Sequence, residues 1–282
     1  MGEVQASRPV SPEQVGKDAI DAYQRDGVIC LRGAVSDDWL AVIEQGVDYF
    51  LGVGVDDGDP ANVVVKLDGD TGGFHYGTAL WQSNPYLRQI IFETTLPDLF
   101  GSVLETRSLN FYYDFLIIKD AGCRSAVTPW HHDQSYYVMR GRKIINCWIA
   151  LDSIPKETAL RFARASHKRD DLARAIHFDP NQDYPGLLTE RPLPPDFDND
   201  PDADIITCAM EPGDALVFNC RTFHTAPGNH LDRRRGALSL NFIGDDVTYF
   251  DMAQLPDPPI RGEGLVDGGS ITCESFPLLR EW

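Results

Sequence analysis

The chain has no long hydrophobic run and little positive charge. None of its apolar stretches reaches the roughly 18 residues that would span a bilayer. Its start, "MGEVQASRPVSPEQVGK", lacks the basic-then-apolar order of a secretion signal. Lys and Arg number 25 against 43 Asp and Glu, which gives a formal net charge of −18. These features predict a cytoplasmic protein that binds neither membranes nor nucleic acid, because both partners attract basic surfaces.

Closely spaced cysteine pairs are also missing. Without a CxxC pair, a disulfide framework or a zinc ribbon is not expected, and the thiols are predicted to be reduced core residues. The six cysteines lie far apart, mostly among apolar neighbours: Cys30, Cys123, Cys147, Cys208, Cys220 and Cys273.

What remains is the composition of an ordinary globular protein. A chain of 282 residues, 43% hydrophobic, can bury one substantial core, so a single domain over residues 1–282 is expected. Residues 1–108 read as its mainly helical part. Residues 109–250 carry short aromatic or β-branched runs separated by Gly, Pro and Asp, which predict a sandwich or barrel with the helices packed outside. Residues 251–282 form a C-terminal extension.

Helix signals recur in the first part. Ser11 as N-cap and Pro12 as first helical residue predict a helix over residues 11–26. A short strand, "VICLRGAV", follows, and a second helix is expected from Ser36. The stretch from "NPYLRQIIF" to "VLETR" predicts further helix, broken before Pro97.

Two stretches are predicted to be irregular. Residues 52–79, rich in Gly and Asp, read as a loop, and "DTGGFHYGTALW" at 71–82 is a candidate lid over a substrate site. A plain surface loop is the alternative for this stretch. The acidic, proline-rich "ERPLPPDFDNDPDAD" at 190–204 reads as a surface insertion.

The stretch "TPWHHDQSYY", residues 128–137, carries the candidate chemistry. In an extended strand side chains alternate, so His131 and Asp133 share one face while His132 points to the other. A third ligand would have to come from elsewhere in the chain. His224 is the best placed, because it directly follows a strand-like run after "EPGD". The candidates are His75, His167, His177, His224 and His230.

Two imidazoles and one carboxylate on a single face are the ligand set of non-haem Fe(II) oxygenases. Such a site commonly uses 2-oxoglutarate, whose distal carboxylate suits the planar fork of an arginine. If "HTAPGNHLDRRR" folds as a hairpin about Asn229 and His230, Arg235 returns opposite His224. Arg233 shares that face, so the residues alone leave it open beside Arg235.

The motifs together resemble the phytanoyl-CoA dioxygenase family of Fe(II)- and 2-oxoglutarate-dependent oxygenases. The resemblance rests on "TPWHHDQSYY", "NCWIALDSI", "ETALRFARASHK", "EPGDALVFNCRTFH" and the arginine eleven residues after that histidine. It extends from "YQRDGVICLRG" to about residue 246. It implies a double-stranded β-helix, the jelly-roll or cupin-like fold, with N-terminal helices outside. Two family glycines are replaced here, by Ala159 and Ala165, which concerns loop geometry and not the ligands.

The resemblance also implies residue roles and cofactors. The cofactors are Fe(II), 2-oxoglutarate and O2. His131, Asp133 and His224 would hold the iron and form the catalytic centre. Arg235 would bind the distal carboxylate of 2-oxoglutarate, with Lys119 and Trp148 beside it.

The implied reaction is oxidation of an unactivated C–H bond, with 2-oxoglutarate converted to succinate and CO2. Hydroxylation is the expected outcome, and desaturation, cyclisation or endoperoxidation are alternatives. A non-redox metal protein of the cupin type, such as an isomerase, and a non-catalytic ligand-binding relative are the rival classes. The former has no use for Arg235, and the latter usually loses a metal ligand, whereas none is lost here.

The substrate is expected to be a hydrophobic small molecule. Aromatic residues near the ligand motif and in the candidate lid predict an apolar cavity. The candidate substrate residues are Phe74, His75, Tyr76, Trp81, His132, Tyr136, Tyr137 and Met139.

Overall fold

The computed structural model describes residues 1–11, 13–53, 62–65, 69–178, 190–252, 256 and 258–282. The helices are α1 Lys17–Asp26, α2 Asp37–Val53, α3 Pro85–Phe92 and α4 Leu96–Leu104, with 3-10 helices at Leu80–Gln82, Asp133–Tyr136 and Ser166–Lys168. The strands are β1 Gly2–Glu3, β2 Ala6–Ser7, β3 Pro9–Ser11, β4 Gln14–Val15, β5 Val28–Leu31, β6 Asn62–Val65, β7 Phe74–Thr78, β8 Ser108–Lys119, β9 Thr128–His131, β10 Met139–Arg140, β11 Ile144–Ala150, β12 Arg161–Ala163, β13 Ile205–Thr207, β14 Ala215–Asn219, β15 His224–Ala226, β16 Arg235–Gly244, β17 Thr248–Tyr249 and β18 Leu278–Glu281.

Two facing sheets make a double-stranded β-helix, in which β8, β11, β14 and β16 belong to the larger sheet and β9, β12, β13 and β15 belong to the smaller one. The larger sheet has nine strands in the order β2-β5-β14-β11-β16-β8-β7-β6, with β18 beside β8. The smaller sheet has five strands in the order β1-β13-β12-β15-β9. This confirms the predicted mainly β fold class.

Side chains on the larger sheet divide between two cores. On β11, Ile145, Cys147 and Ile149 pack with residues of the four α-helices in one apolar cluster. Trp148 and Ala150 belong to a second cluster, shared with strands of the smaller sheet. The helices therefore pack on the outer face of the larger sheet, and the inner face looks toward the smaller sheet. Of the described helices, none is long and apolar enough to cross a membrane.

The first helix begins later than predicted. It starts at Lys17 after an N-cap at Gly16, and Ser11 ends the short strand β3 instead of capping the helix. Pro12 lies outside the described residues. The end at Gly27 is confirmed, since this glycine takes the left-handed conformation (φ 83°) in which a helix commonly terminates.

The later helices largely follow the expectation. Helix α2 begins at Asp37, one residue after Ser36, whose Oγ accepts a bond from the Trp39 N–H at 3.4 Å. The predicted break before Pro97 is confirmed, because α3 ends at Phe92 and α4 begins at Leu96.

The loop predicted over residues 52–79 is wrong at residues 52–53, which end α2, and at β6 and β7, whereas residues 69–73 and 79 are irregular as predicted. Strand β7 pairs with β6 on one side and β8 on the other, so it belongs to the larger sheet. Residues 80–82 are a 3-10 helix. The sequence suggested a loop because Gly and Asp are frequent there, yet Phe74, His75 and Tyr76 are strand formers that complete the sheet. Residues 54–61 and 66–68 of the stretch lie outside the described residues.

Candidate metal and co-substrate site

The three predicted ligands meet at the edge of the smaller sheet. His131 ends β9 and pairs across the strands with His224, the first residue of β15. Asp133 begins the 3-10 helix that follows. Because His132 is extended, the carboxylate of Asp133 stays on the same side as the ring of His131. Asp133 Oδ1 lies 3.4 Å from His131 Nε2 and 3.5 Å from His224 Nε2. One donor atom from each residue lies within 4.8 Å of the others.

Backbone carbonyls fix which imidazole nitrogens face the centre. His131 Nδ1 donates to the Pro129 carbonyl at 2.9 Å, and His224 Nδ1 donates to the Thr222 carbonyl at 3.0 Å. With each Nδ1 protonated, each Nε2 presents its lone pair to the centre, as metal ligands require. Burial and the neighbouring His131 lower the pKa of His224 to about 4, so its ring is neutral at neutral pH.

The carboxylate is ionised in spite of its burial. Burial acts to raise the pKa of Asp133, but the two imidazoles and the Asn146 amide outweigh it and leave the pKa below its usual value. Two imidazoles and one carboxylate form a donor set that fits Fe(II) with open positions remaining.

His132 lies on the other side of the strand, as predicted from alternation. It is buried, its Nε2 accepts the Ala173 N–H at 3.0 Å, and its ring packs edge-on against Phe223. Burial lowers its pKa to about 3. The structure thus gives His132 a packing role away from the ligand centre.

Arg235 and Lys119 form a buried cationic pair. They lie opposite each other on β16 and β8, and are 2% and 1% exposed. Arg235 donates to the carbonyls of Thr158 at 2.5 Å and Pro227 at 3.0 Å, while its Nε has no protein partner. Lys119 donates to the carbonyls of Ala126 at 2.5 Å and Pro227 at 3.3 Å.

No carboxylate among the described residues pairs with either side chain of this cationic pair. Burial lowers the pKa of Arg235 to about 10, and burial together with Arg235 holds the pKa of Lys119 well below its usual value. Burying two cations that are bonded only to carbonyls destabilises the folded protein unless an anion pairs with them. The arrangement therefore suits a ligand carboxylate.

The hairpin predicted between His224 and Arg235 is wrong, although Arg235 lies on the inner face beside Lys119. Strand β15 pairs with β9 and β12 in the smaller sheet, whereas β16 pairs with β8 and β11 in the larger one. The chain crosses between sheets after Pro227 instead of turning back beside β15. Sequence symmetry about Asn229 could not show this crossing.

The structure also distinguishes among the three arginines. Arg233 is exposed, and Arg234 pairs with Glu44 at 2.6 Å and Asp152 at 3.0 Å. Only Arg235 of the three is buried between the sheets.

The inner face of the larger sheet connects the two centres. On β11, Asn146 and Trp148 follow one another on this face, and Asn146 Nδ2 lies 3.3 Å from Asp133 Oδ2. Trp148 packs in the interior cluster with Ala237 and Ala226, between the ligands and Arg235. The carbonyl shared by Lys119 and Arg235 belongs to Pro227, three residues beyond His224. The cationic pair therefore lies close to the metal-ligand strand β15.

Among the predicted substrate residues, Phe74 and Tyr76 reach the inner face. They pair with Lys119 and Ile117 and are partly exposed. Their rings lie 4.9 Å apart, and Tyr76 also packs edge-on against Phe115 at 5.8 Å. Together Phe74, Tyr76 and Phe115 form a partly exposed aromatic surface next to the cationic pair.

His75 and Trp81 do not reach this space. His75 points to the opposite face of β7 and lies 3.0 Å from Asp120 Oδ2. Trp81 is buried in the helical core against Phe92 and Phe111. Trp81 was predicted to line the cavity because core and cavity aromatic residues look alike in sequence, whereas His75 was predicted from its place in the candidate lid.

Tyr136, Tyr137 and Met139 are buried together in a third cluster. Tyr136 packs edge-on against His131 at 6.1 Å, and Tyr137 donates to Asn241 Oδ1 at 3.2 Å. Tyr136 is thus the member of this group that contacts a ligand residue.

Sequence reasoning missed several residues around the centre. Asn146 precedes Trp148 by two positions, so strand alternation could have placed both on one face. Phe115 precedes the predicted Lys119 by four positions on β8, so strand alternation could have placed it on the same face. Phe178, whose ring lies 4.9 Å from that of His131, follows an irregular stretch and carried no such signal.

Comparison with known proteins agrees with this geometry. A sequence profile of the family described as phytanoyl-CoA dioxygenase matches residues 23–237, most of the chain. The chain belongs to the phytanoyl-CoA dioxygenase family. It is accordingly a 2-oxoglutarate-dependent non-haem iron enzyme, and among its described residues His131, Asp133 and His224 form a group that can hold the metal. No sequence among the curated proteins compared matches it.

Solved structures share the fold of this phytanoyl-CoA dioxygenase family member. The non-haem α-ketoglutarate-dependent carbocyclase SnoK from nogalamycin biosynthesis has a TM-score of 0.72 and 22% identity, covering 96% of this chain and 99% of its own. The epimerase SnoN, solved with Fe3+, α-ketoglutarate and nogalamycin RO, has a TM-score of 0.72 and 18% identity, covering 94% and 98%. EctD from S. alaskensis, solved with 2-oxoglutarate and 5-hydroxyectoine, has a TM-score of 0.63 and 17% identity, covering 83% and 77%.

The two alanines that replace family glycines differ in their effect on the backbone. Ala165 takes a left-handed conformation (φ 60°), which a glycine would adopt without strain. Ala159 has no positive φ and packs in the interior cluster. The replacement at 165 therefore costs backbone strain, and the one at 159 does not.

Proposed function

We propose that this protein oxidises an unactivated C–H bond of a small, largely apolar molecule, with hydroxylation as the outcome. The observation that carries the proposal is the combination of a two-histidine, one-carboxylate centre with the buried Lys119–Arg235 pair, whose shared carbonyl belongs to Pro227, three residues after His224. One site suits a divalent metal and the other suits a carboxylate. A ligand with both a chelating end and a distant carboxylate, such as 2-oxoglutarate, spans them.

In this proposal the metal with 2-oxoglutarate and O2 supplies the oxidant, and succinate and CO2 are released. The side chains of the protein hold and orient the metal and the co-substrate. His131, Asp133 and His224 hold the metal, and Arg235 binds the distal carboxylate through its fork, with Lys119 beside it. Trp148 and Ala237 form the apolar floor between them, which limits the access of water to the co-substrate.

The substrate class is proposed from the side chains on the open side of the centre. Phe178 and Tyr136 flank His131, and Phe74, Tyr76 and Phe115 form the aromatic surface. Such a lining favours apolar or ring-containing molecules over charged ones.

Asp133 also restricts the reaction. A halide would need the coordination position that its carboxylate fills, so halogenation is not expected. Cyclisation and epimerisation are the second candidates. They are favoured by the structural similarity to a carbocyclase and an epimerase of nogalamycin biosynthesis. Both outcomes can begin with the same C–H cleavage, and they differ from hydroxylation only in the fate of the resulting substrate radical.

A metal-binding protein without redox chemistry is the rival class. It would need the three ligands but not two buried cations aligned with them. The deciding experiment is anaerobic addition of Fe(II) and then 2-oxoglutarate, followed by visible absorption. We expect a weak charge-transfer band that requires both additions. If 2-oxoglutarate does not bind to the metal-loaded protein, the oxygenase proposal is wrong.

The product class needs a second measurement. Succinate release is to be screened across lipid, terpenoid, aromatic and amino-acid candidates, with mass analysis of each responding substrate. A mass gain of one oxygen supports hydroxylation, a loss of two hydrogens supports desaturation or ring formation, and an unchanged mass supports epimerisation.

A further inference from the structure

The two oxygens of the Asp133 carboxylate have different surroundings. Oδ1 faces His131 Nε2 at 3.4 Å and His224 Nε2 at 3.5 Å. Oδ2 instead accepts a hydrogen bond from Asn146 Nδ2 at 3.3 Å. Only one oxygen of the Asp133 carboxylate, Oδ1, therefore faces the metal centre.

Asn146 is itself held in place. The Ser239 hydroxyl donates to Asn146 Oδ1 at 2.8 Å, which leaves the amide nitrogen facing Asp133. Asn146 and Ser239 are 6% and 2% exposed, on the neighbouring central strands β11 and β16. A three-residue hydrogen-bond chain thus runs from the larger sheet to Asp133.

We propose that Asn146 is a positioning residue that restricts Asp133 to metal coordination through Oδ1 alone, and that Ser239 holds Asn146 in this role. The inference rests on the proposed iron and 2-oxoglutarate site. It concerns the number of coordination positions that remain open.

The chemical reason is a count of coordination positions. In an octahedral site, two imidazoles and one carboxylate oxygen leave three positions, two for the chelating end of 2-oxoglutarate and one for O2. A carboxylate that binds through both oxygens takes a fourth position, so that 2-oxoglutarate binding leaves none. A hydrogen bond that occupies Oδ2 opposes this second mode. Partners of this kind orient ligands in many metal sites.

The test counts the exchangeable water on Mn(II), which substitutes for iron and enhances the relaxation of water protons. The variants are Asn146→Leu, which keeps the side-chain size without the amide, and Ser239→Ala, which removes one hydroxyl. Asn110→Leu is the matched control. Its buried amide donates to Thr272 and the Phe276 carbonyl, away from the ligands.

In the parent, saturation with 2-oxoglutarate should reduce the inner-sphere relaxivity to about one third, because one of three open positions keeps water. In Asn146→Leu the same addition should abolish it. Ser239→Ala should shift in the same direction by a smaller amount, and Asn110→Leu should match the parent.

Three results bear on the inference. If Asn146→Leu and Ser239→Ala both retain one third of the relaxivity, Asn146 only packs and the inference is wrong. Complete loss in the parent would also overturn it, since Asp133 would already bind through both oxygens. If the parent binds Mn(II) but its relaxivity does not respond to 2-oxoglutarate, the proposed function itself fails. Ser239→Ala decides the matter if Asn146→Leu does not fold.

Discussion

Replacing Arg235 with Ala should weaken 2-oxoglutarate binding while the metal site stays intact. Arg235 is 2% exposed and bonded to two carbonyls, and its Nε lacks a protein partner. The side chain is thus available to a ligand carboxylate in a space with little water. None of the metal-ligand contacts passes through it, so iron should bind as in the parent.

The size of the defect depends on burial and on the neighbouring cation. Removing one partner of a buried charged pair costs about 2–5 kcal/mol. Lys119 stays opposite on β8 and can still attract the carboxylate, so the lower part of that range, about 2–3 kcal/mol, applies. At about 1.4 kcal/mol per tenfold change, 2-oxoglutarate affinity should fall about 30- to 150-fold. Arg235→Lys should be intermediate, because it keeps the charge and loses the fork.

The assay is anaerobic titration of the Fe(II)-loaded protein with 2-oxoglutarate, with metal content measured beside it. Arg233→Ala is the matched control, since that arginine is exposed. It should bind 2-oxoglutarate like the parent. Arg234→Ala breaks pairs with Glu44 and Asp152 and should lower stability without a binding defect. A co-substrate defect in either control, with Arg235→Ala normal, would refute the assignment.

Three further predictions concern the metal and the stability of the fold. Asp133→Ala should reduce iron content severely, whereas His132→Ala should leave it nearly unchanged, and metal analysis showing the reverse would contradict the ligand assignment. Burial raises the pKa of Asp114 from 3.8 to about 7, so the folded protein retains a proton that the unfolded chain releases, and stability falls as the pH rises between these values. Asp114→Asn should remove most of that loss, up to about 4 kcal/mol. If the free energy of unfolding of the parent and of Asp114→Asn changes equally with pH, the reasoning is wrong. Ala165→Gly should relieve the left-handed strain and raise the free energy of unfolding by about 0.5–1 kcal/mol, measured in urea, and a decrease would contradict it.

Local sequence patterns were enough to assign the ligand motif and much of the secondary structure. Alternation in an extended segment is a local property, so His131 and Asp133 could be assigned to one side and His132 to the other. Helices α2, α3 and α4 were predicted from periodicity and from Pro97 in the same way. The residues alone indicated His224 as the best-placed third ligand and left Arg233 open beside Arg235, and the resemblance to the phytanoyl-CoA dioxygenase family implied His224 and Arg235 as distant members of one site.

Which strands become neighbours was settled by tertiary packing. Arg235 lies opposite Lys119 because the chain crosses from the smaller to the larger sheet after Pro227 and β16 pairs with β8. Pairing of β7 with β8 places Phe74 on the face of Lys119 and His75 on the other face. The facing of the two sheets brings Asn146 of β11 to Asp133, which follows β9. Contacts between strands far apart in sequence depend on register across the sheets, which no local pattern of residues encodes.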